Sequence, residues 1–183
     1  MKILKFLSSK RTAFHLLFPL ACLIFAHPNT LGLLIGISLT LLGEGIRVLS
    51  AGYITKNEVL TTSGPYSWTR NPLYLGTFFI GLGICFLSGY PAIVFPIYLV
   101  LFALIYIPTI KSEEDFLTKK FGKEYEIYKN SVPIFFPFPP FKFRPSAGYF
   151  SWSRVKENKE LRSLFTLLLL LSLFILKFFL QPR

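Results

Sequence analysis

Little in this sequence can titrate near neutrality or hold a metal. Among 183 residues there are two histidines and two cysteines. Cys22 and Cys85 fall in separate apolar runs with no CxxC pattern, which leaves a disulfide framework or a zinc site unsupported. His15 and His27 are isolated and read as interfacial or helix-packing residues. Charge is scarce too. Charged residues make up 16% of the chain, against about 25% in ordinary soluble domains. Their place is taken by apolar runs too long for strands, with 52% hydrophobic and 17% aromatic residues and a mean hydropathy of +0.54. This composition predicts an all-α integral membrane protein folded as one helical bundle.

The charge that is present is lopsided, at a formal +11. No basic domain stands apart from the apolar runs, which argues against nucleic acid as a partner. Lys2, Lys5, Lys10 and Arg11 precede the first run, and most other basic residues lie between Lys111 and Arg162. Basic residues beside apolar spans mark the cytoplasmic face and its anionic lipids, so the charge reads as topology.

Five segments can span: Thr12–Ala26, Thr30 to about Tyr53, Leu73–Leu87, Ala92–Ile110 and Leu164–Leu180. The first and third are short for the roughly 20 residues that a hydrocarbon core needs. The connections His27–Asn29 and Ser88–Pro91 hold no Lys or Arg, whereas the N-terminus and the stretches 47–70 and 111–162 hold nearly all of them. Five helices with the N-terminus inside and the C-terminus outside are therefore expected in the cytoplasmic (inner) membrane, with Lys177 snorkelling. A cleaved signal peptide is disfavoured, because Ile24 stands where a cleavage site takes a small residue. After the fourth span, Ser112 is expected to cap a separate amphipathic helix in which Leu117, Phe121, Tyr125 and Tyr128 share a face. The stretch PIFFPFPPFKFRP is expected as an interfacial loop. These features divide the chain into an embedded core (1–145), a polar linker (146–160) and a C-terminal anchor (161–183) whose helix has no polar face. Glycines at 32, 36, 43, 45, 76, 81 and 83 predict close helix packing.

Three places hold residues suited to chemistry. In GPYSWTRNPLYLG, Gly64–Gly76, Gly64-Pro65 makes a turn, Asn71 can cap the third helix, and Pro72 takes its first position. A helix N-terminus beside Arg70 suits a carboxylate, although a plain capped helix start explains the same residues. Glu113-Glu114 follows the fourth span, where two carboxylates can accept hydrogen bonds from ribose hydroxyls or an ammonium group, or merely favour a first helical turn. Glu44 and Arg47 make an i,i+3 pair near the inner end of the second span, either functional or structural.

The first motif, followed after two spans by EEDFLTKKFGKEYEIYKNSVPIFFPF, resembles the isoprenylcysteine carboxyl methyltransferase family and the related phospholipid methyltransferases. That family carries GPY-x-x-x-RHP-x-Y-x-G and EE-x-x-L-x-x-x-FG-x-x-Y-x-x-Y. The resemblance implies an S-adenosylmethionine pocket lined by Gly64, Pro65, Tyr66, Arg70, Asn71, Pro72, Tyr74 and Gly76, closed by Glu113 and Glu114, with Tyr125 and Tyr128 in a lid. It also implies a lipid or other lipophilic substrate that arrives from the bilayer. Asn71 replaces a common histidine, and Lys111 stands near the place of a substrate-handling arginine but lacks its planar fork. A carboxylate acceptor needs no general base, so Lys111 or Arg70 would orient it. An amine acceptor, as in phosphatidylethanolamine, would call on Glu44 or Glu114 as base. A sterol-reductase-like enzyme and a non-catalytic membrane scaffold are the competing expectations.

Overall fold

The computed structural model describes residues 2–55, 59–137 and 147–181, with side chains from Arg11 onward except Thr12. Among them are seven α-helices: α1 (Lys2–Phe25), α2 (Thr30–Tyr53), α3 (Pro72–Leu87), α4 (Pro91–Phe121), α5 (Lys123–Ser131), α6 (Trp152–Glu157) and α7 (Glu160–Leu180), with a 3₁₀ turn at Gly64–Ser67. Three of them, α2, α4 and α7, are long and apolar enough to cross a membrane. The apolar part of α1 (Ala13–Phe25) and the whole of α3 are shorter. Leu34, Leu104, Ile107 and Phe165 on the long helices are more than 60% exposed, as expected of side chains facing hydrocarbon rather than water.

The tightest pairing is α2 against α3, because both backbones carry glycine at the crossing. A Cβ on Gly43 would collide with the Gly76 carbonyl and one on Gly76 with the Gly43 carbonyl; Gly36 and Gly83 are related in the same way. Small residues therefore bring the helices together without any hydrophobic drive between them. Cys22 of α1 and Ala26 just after it pack with Ile84 and Leu87 of α3 and with Leu167, Leu171 and Phe174 of α7. An aromatic cluster built on Tyr98, Phe102 and Tyr106 joins α4 to α1 and α3.

Several expectations give way here. The fourth span and the amphipathic helix are one continuous helix of 31 residues. Nothing between Lys111 and Phe121 breaks a helix, and the chain turns only at Gly122, whose φ is +52°, a conformation open to glycine. Ser112 consequently lies inside α4 and caps no helix. The predicted apolar face survives across both helices, with Leu117 and Phe121 packed on Leu60, Tyr125, Tyr128 and Val132. The stretch expected as a polar linker includes α6 and lies against α2: Asn158 Nδ2 donates to the Ala51 carbonyl at 3.0 Å, and Ser151 N to the Gly52 carbonyl at 3.0 Å. Nor is α7 a bare anchor, since it opens on buried Glu160. Lys177 donates to the Leu23 and Ile24 carbonyls at the end of α1, where a helix runs out of partners for its last carbonyls. Of the expected interfacial loop, the part up to Pro137 is described, and Phe135 packs on Phe78 and Phe102 of the bundle rather than outside it. Residues 138–146 lie outside the described residues.

Candidate functional site

The ends of α1, α2, α3, α4 and α7 that carry the polar residues converge on a cavity of about 520 Å³. The two motifs supply much of its wall. Gly64, at φ +58°, lets the chain enter the 3₁₀ turn, which presents Tyr66. The backbone N–H of Arg70 then donates to the Pro133 carbonyl at 2.9 Å, and Asn71 Nδ2 donates to the Ile134 carbonyl at 2.8 Å. Asn71 thus does not cap α3 with its side chain, as expected from sequence; the amide is used to hold the segment after α5 against the start of α3. Pro72 does occupy the first turn of that helix.

Arg70 Nη2 lies 2.8 Å from Glu114 Oε1, and its Nη1 donates to the Lys129 carbonyl. Both charged side chains are largely buried, at 9% and 12% exposure, so the pair links the α3 turn to α4 and α5 in a poorly hydrated place. Tyr74 donates to Glu113 Oε1 and accepts from Arg11 Nη1 at 2.6 Å, with Arg11 and Glu113 themselves 3.5 Å apart. Tyr128 ties α5 to the 3₁₀ turn, its hydroxyl donating to the Tyr66 carbonyl at 2.7 Å. Deeper in the wall, Arg47 Nη2 grips both oxygens of Glu160 at 2.9 and 2.8 Å, and Nη1 donates to Thr77 Oγ1 at 2.7 Å.

Each of the three arginines on this wall is paired with a glutamate from another helix: Arg11 with Glu113, Arg47 with Glu160 and Arg70 with Glu114. Such pairs fix the fork of each guanidinium and hold the helices in register. Burial pushes the Tyr66 phenol well above its ordinary range, and the nearby Tyr128 adds to the shift. Tyr125 is raised by burial and then by Glu114, and Tyr128 by burial and then by Tyr125. All three remain neutral donors at physiological pH. The Tyr66 hydroxyl is buried with no hydrogen-bond partner among the described residues. A lone donor of that kind is costly unless something fills the cavity and accepts from it.

Of the residues singled out from sequence, Tyr66, Arg70, Asn71, Pro72, Tyr74, Glu113, Glu114, Tyr125 and Tyr128 line this one cavity. Gly64, Pro65 and Gly76 shape the surrounding backbone without lining it. Lys111 is exposed and is not part of the lining. At 100° per residue it stands about 100° around α4 from the face formed by Glu113, Glu114, Leu117 and Phe121. Arg11, His15, Thr77 and Glu160 line the cavity and were not foreseen as site residues. Arg11 reads in sequence as a topological charge, and nothing in the sequence pairs Arg47 with a residue 113 positions away.

A family model described as phospholipid methyltransferase matches residues 20–124. The chain is 38% identical over 133 residues to the cobalt-zinc-cadmium resistance protein CzcN of Cupriavidus metallidurans, covering 66% of this chain and 59% of that protein. It is 34% identical over 120 residues to the protein-S-isoprenylcysteine O-methyltransferase of Saccharomyces cerevisiae, covering 57% and 48%. Against the protein of the same name from Xenopus laevis it is 36% identical over 120 residues, covering 57% and 40%. The chain thus spans about half the length of the curated relatives it matches. No solved structure matches it.

Proposed function

Because this chain belongs to the phospholipid methyltransferase family, we propose that it is an integral-membrane methyltransferase that uses S-adenosylmethionine to methylate a lipophilic acceptor. The first choice of acceptor is a carboxylate of the isoprenylcysteine type. The observation that carries this reading is the joining of the two motifs around one cavity, through Arg70–Glu114 and Tyr74–Glu113.

The residues present fit the cofactor. About 520 Å³ is ample for a nucleoside-sized ligand, and the buried Tyr66 hydroxyl lacks an acceptor. Glu113 and Glu114 would meet ribose hydroxyls or the ammonium group, Arg70 and the start of α3 the carboxylate, and Leu60, Leu117 and Phe121 the purine. When bound, S-adenosylmethionine supplies a sulfonium methyl, so that an O–C bond forms, a C–S bond breaks, and the electron pair stays on sulfur. For a carboxylate acceptor no proton moves, and the chain's task is to orient, to exclude water and to keep its dipoles fixed. Arg70 or Arg47 takes the orienting role expected of Lys111.

In this reading α1 and α3 complete a five-span bundle, with the N-terminus and the cavity on the cytoplasmic side. A phospholipid amine is the second choice. It is favoured by the internal pairing of all three cavity arginines, which an anionic acceptor would have to disturb, and Glu114 would then serve as base.

The test is a titration of purified, detergent-solubilised protein with S-adenosylhomocysteine, followed by incubation of membranes with methyl-labelled S-adenosylmethionine and identification of the labelled lipid. Binding that is weakened by Arg70→Ala and Glu113→Ala, with label in a lipid fraction, is expected. Binding unaffected by both substitutions would remove the site assignment. Absence of binding and label in the wild type would remove the function.

A further inference from the structure

Two recesses meet at the flank where α7 begins. One is the cavity just described, whose wall there is Arg47 and Glu160. The other is an apolar recess of about 370 Å³ on the outer side of α2, lined by Leu41, Val48, Leu49, Phe150 and Leu164 together with Glu44. The charged residues of the two recesses form one network. Arg47 holds Glu160 with both carboxylate oxygens and Thr77 with its other nitrogen, while its Nε lies 3.7 Å from Glu44 Oε2. Glu44 is 3% and Glu160 6% exposed. Neither Glu44 oxygen accepts a well-formed hydrogen bond, although the Ser163 hydroxyl of α7 is near enough to interact. The partition between the cavity and the bilayer-facing recess is therefore a guanidinium between two carboxylates.

Placing a second carboxylate there is expensive in a poorly hydrated setting, and α7 does not need it for attachment, since Leu167, Leu171 and Phe174 already seat the helix in the core. What the carboxylate adds is geometry. An arginine side chain has many rotamers, and a carboxylate that holds Nη2 with both oxygens while Thr77 holds Nη1 selects one of them. We propose that Glu160 is the positioning residue for Arg47, and that through this pair the C-terminal helix governs how the acceptor's polar end is seated in the cavity. Glu160 lies outside the segment 20–124 that the family model matches. The inference rests on the methyltransferase reading: an acceptor whose chain lies in the bilayer reaches the cavity past this partition, whereas the residues expected to hold the cofactor belong to the two motifs.

The experiment uses the full chain in detergent and the variants Glu160→Gln, Glu160→Asp, Arg47→Lys and the Gln/Lys double. Cofactor binding is read by titration with S-adenosylhomocysteine. Turnover is read with methyl-labelled S-adenosylmethionine and two acceptor probes, N-acetyl-S-farnesylcysteine and phosphatidylethanolamine vesicles. Glu160→Gln is expected to lower kcat/KM for the acceptor by about tenfold while S-adenosylhomocysteine affinity changes by less than about twofold. Glu160→Asp should recover part of the loss, Arg47→Lys should reproduce it, and the double should be no worse than the poorer single variant, because the residues act as one unit. Unchanged acceptor kcat/KM in Glu160→Gln, parallel losses of cofactor affinity and turnover, or additive losses in the double would each overturn the proposal. Should Glu160→Gln not fold, Glu160→Asp and Arg47→Lys decide by the same criteria. A wild-type protein that binds the cofactor product and methylates a probe while these variants behave normally would leave the function standing and this assignment refuted. A wild type that does neither would overturn both.

Discussion

Replacing Tyr66 by phenylalanine separates stability from ligand binding, because the two effects have opposite signs. The Tyr66 hydroxyl is buried without a partner in a side chain 6% exposed. A buried hydroxyl left unsatisfied costs about 1–3 kcal/mol, and the ring of phenylalanine fills the same space. The empty variant should therefore be more stable by about 1 kcal/mol or more, which for a chain of this size is a rise in midpoint of roughly 2–4 °C per kcal/mol. Under the proposed function the hydroxyl would donate to the bound ligand, and losing that bond would remove about 0.5–1.5 kcal/mol, a two- to tenfold weakening. Differential scanning fluorimetry in detergent, with and without S-adenosylhomocysteine, measures both. The expected record is a higher midpoint without ligand and a smaller ligand-induced rise. A variant that melts lower without ligand, or binds as tightly as the wild type, would refute the claim that this hydroxyl awaits an acceptor.

The other predictions are direct. Gly43→Val should drive a side chain into the Gly76 carbonyl and destabilise the α2–α3 pair by about 1–3 kcal/mol, seen as a lower melting midpoint and reduced yield of folded protein. Arg70→Ala should leave buried Glu114 without its closest cation, the remaining one being Lys129 at 3.7 Å. Breaking a buried pair costs up to about 3–5 kcal/mol, so cofactor affinity and melting temperature should fall together, whereas Arg70→Lys should recover stability better than affinity. The phenols of Tyr66, Tyr125 and Tyr128 are raised by burial. Stability from their neutral forms is thus present below the ordinary phenol range and lost as pH rises through it and beyond. Tyrosinate absorbance should show these three ionising only together with alkaline unfolding, and early ionisation would contradict the packed lid.

How much of this was legible in the sequence follows from the range over which each interaction acts. Gly36, Gly43, Gly76 and Gly83 announced a close crossing of α2 and α3, because small residues spaced along a helix face let two backbones approach, whereas a side chain at Gly45 would meet nothing within 4 Å. The two motifs announced the family that the chain matches, since each fixes a turn or a helix face by residue type and spacing. Tyr74, Glu113 and Glu114 were readable for that reason. Lys111 is outside the cavity lining although it is close to Glu113 and Glu114 in sequence, because closeness along a helix does not put two side chains on one face. The continuous α4 was missed because Ser112 and its acidic neighbours suit a helix start and a helix interior equally well, and only Gly122 compels a turn. Arg47–Glu160 had no sequence signal at all. Its partners are brought together by the packing of α6 and α7 on α2, which depends on Phe150 against Gly52 and Asn158 against the end of α2.

That last contact bears on what the C-terminal segment is for. A helix that only tethered the bundle would need an apolar surface and nothing more, and α7 has one in Leu167, Leu171 and Phe174. Yet each end of α7 also carries a charged residue with a defined partner: Lys177 on two carbonyls at the end of α1, and Glu160 on Arg47 in the cavity wall. The first closes the end of the bundle away from the cavity, where α1 stops short. The second reaches the residues that face any bound ligand. A helix joined to the fold by polar contacts at both ends cannot shift along its axis without breaking one of them, so the guanidinium in the wall is held by the whole length of α7. Deleting residues 147–183 should accordingly abolish acceptor turnover even in a preparation that still binds S-adenosylhomocysteine. A truncated chain that methylates its acceptor at the wild-type rate would show that Arg47 keeps its place without Glu160.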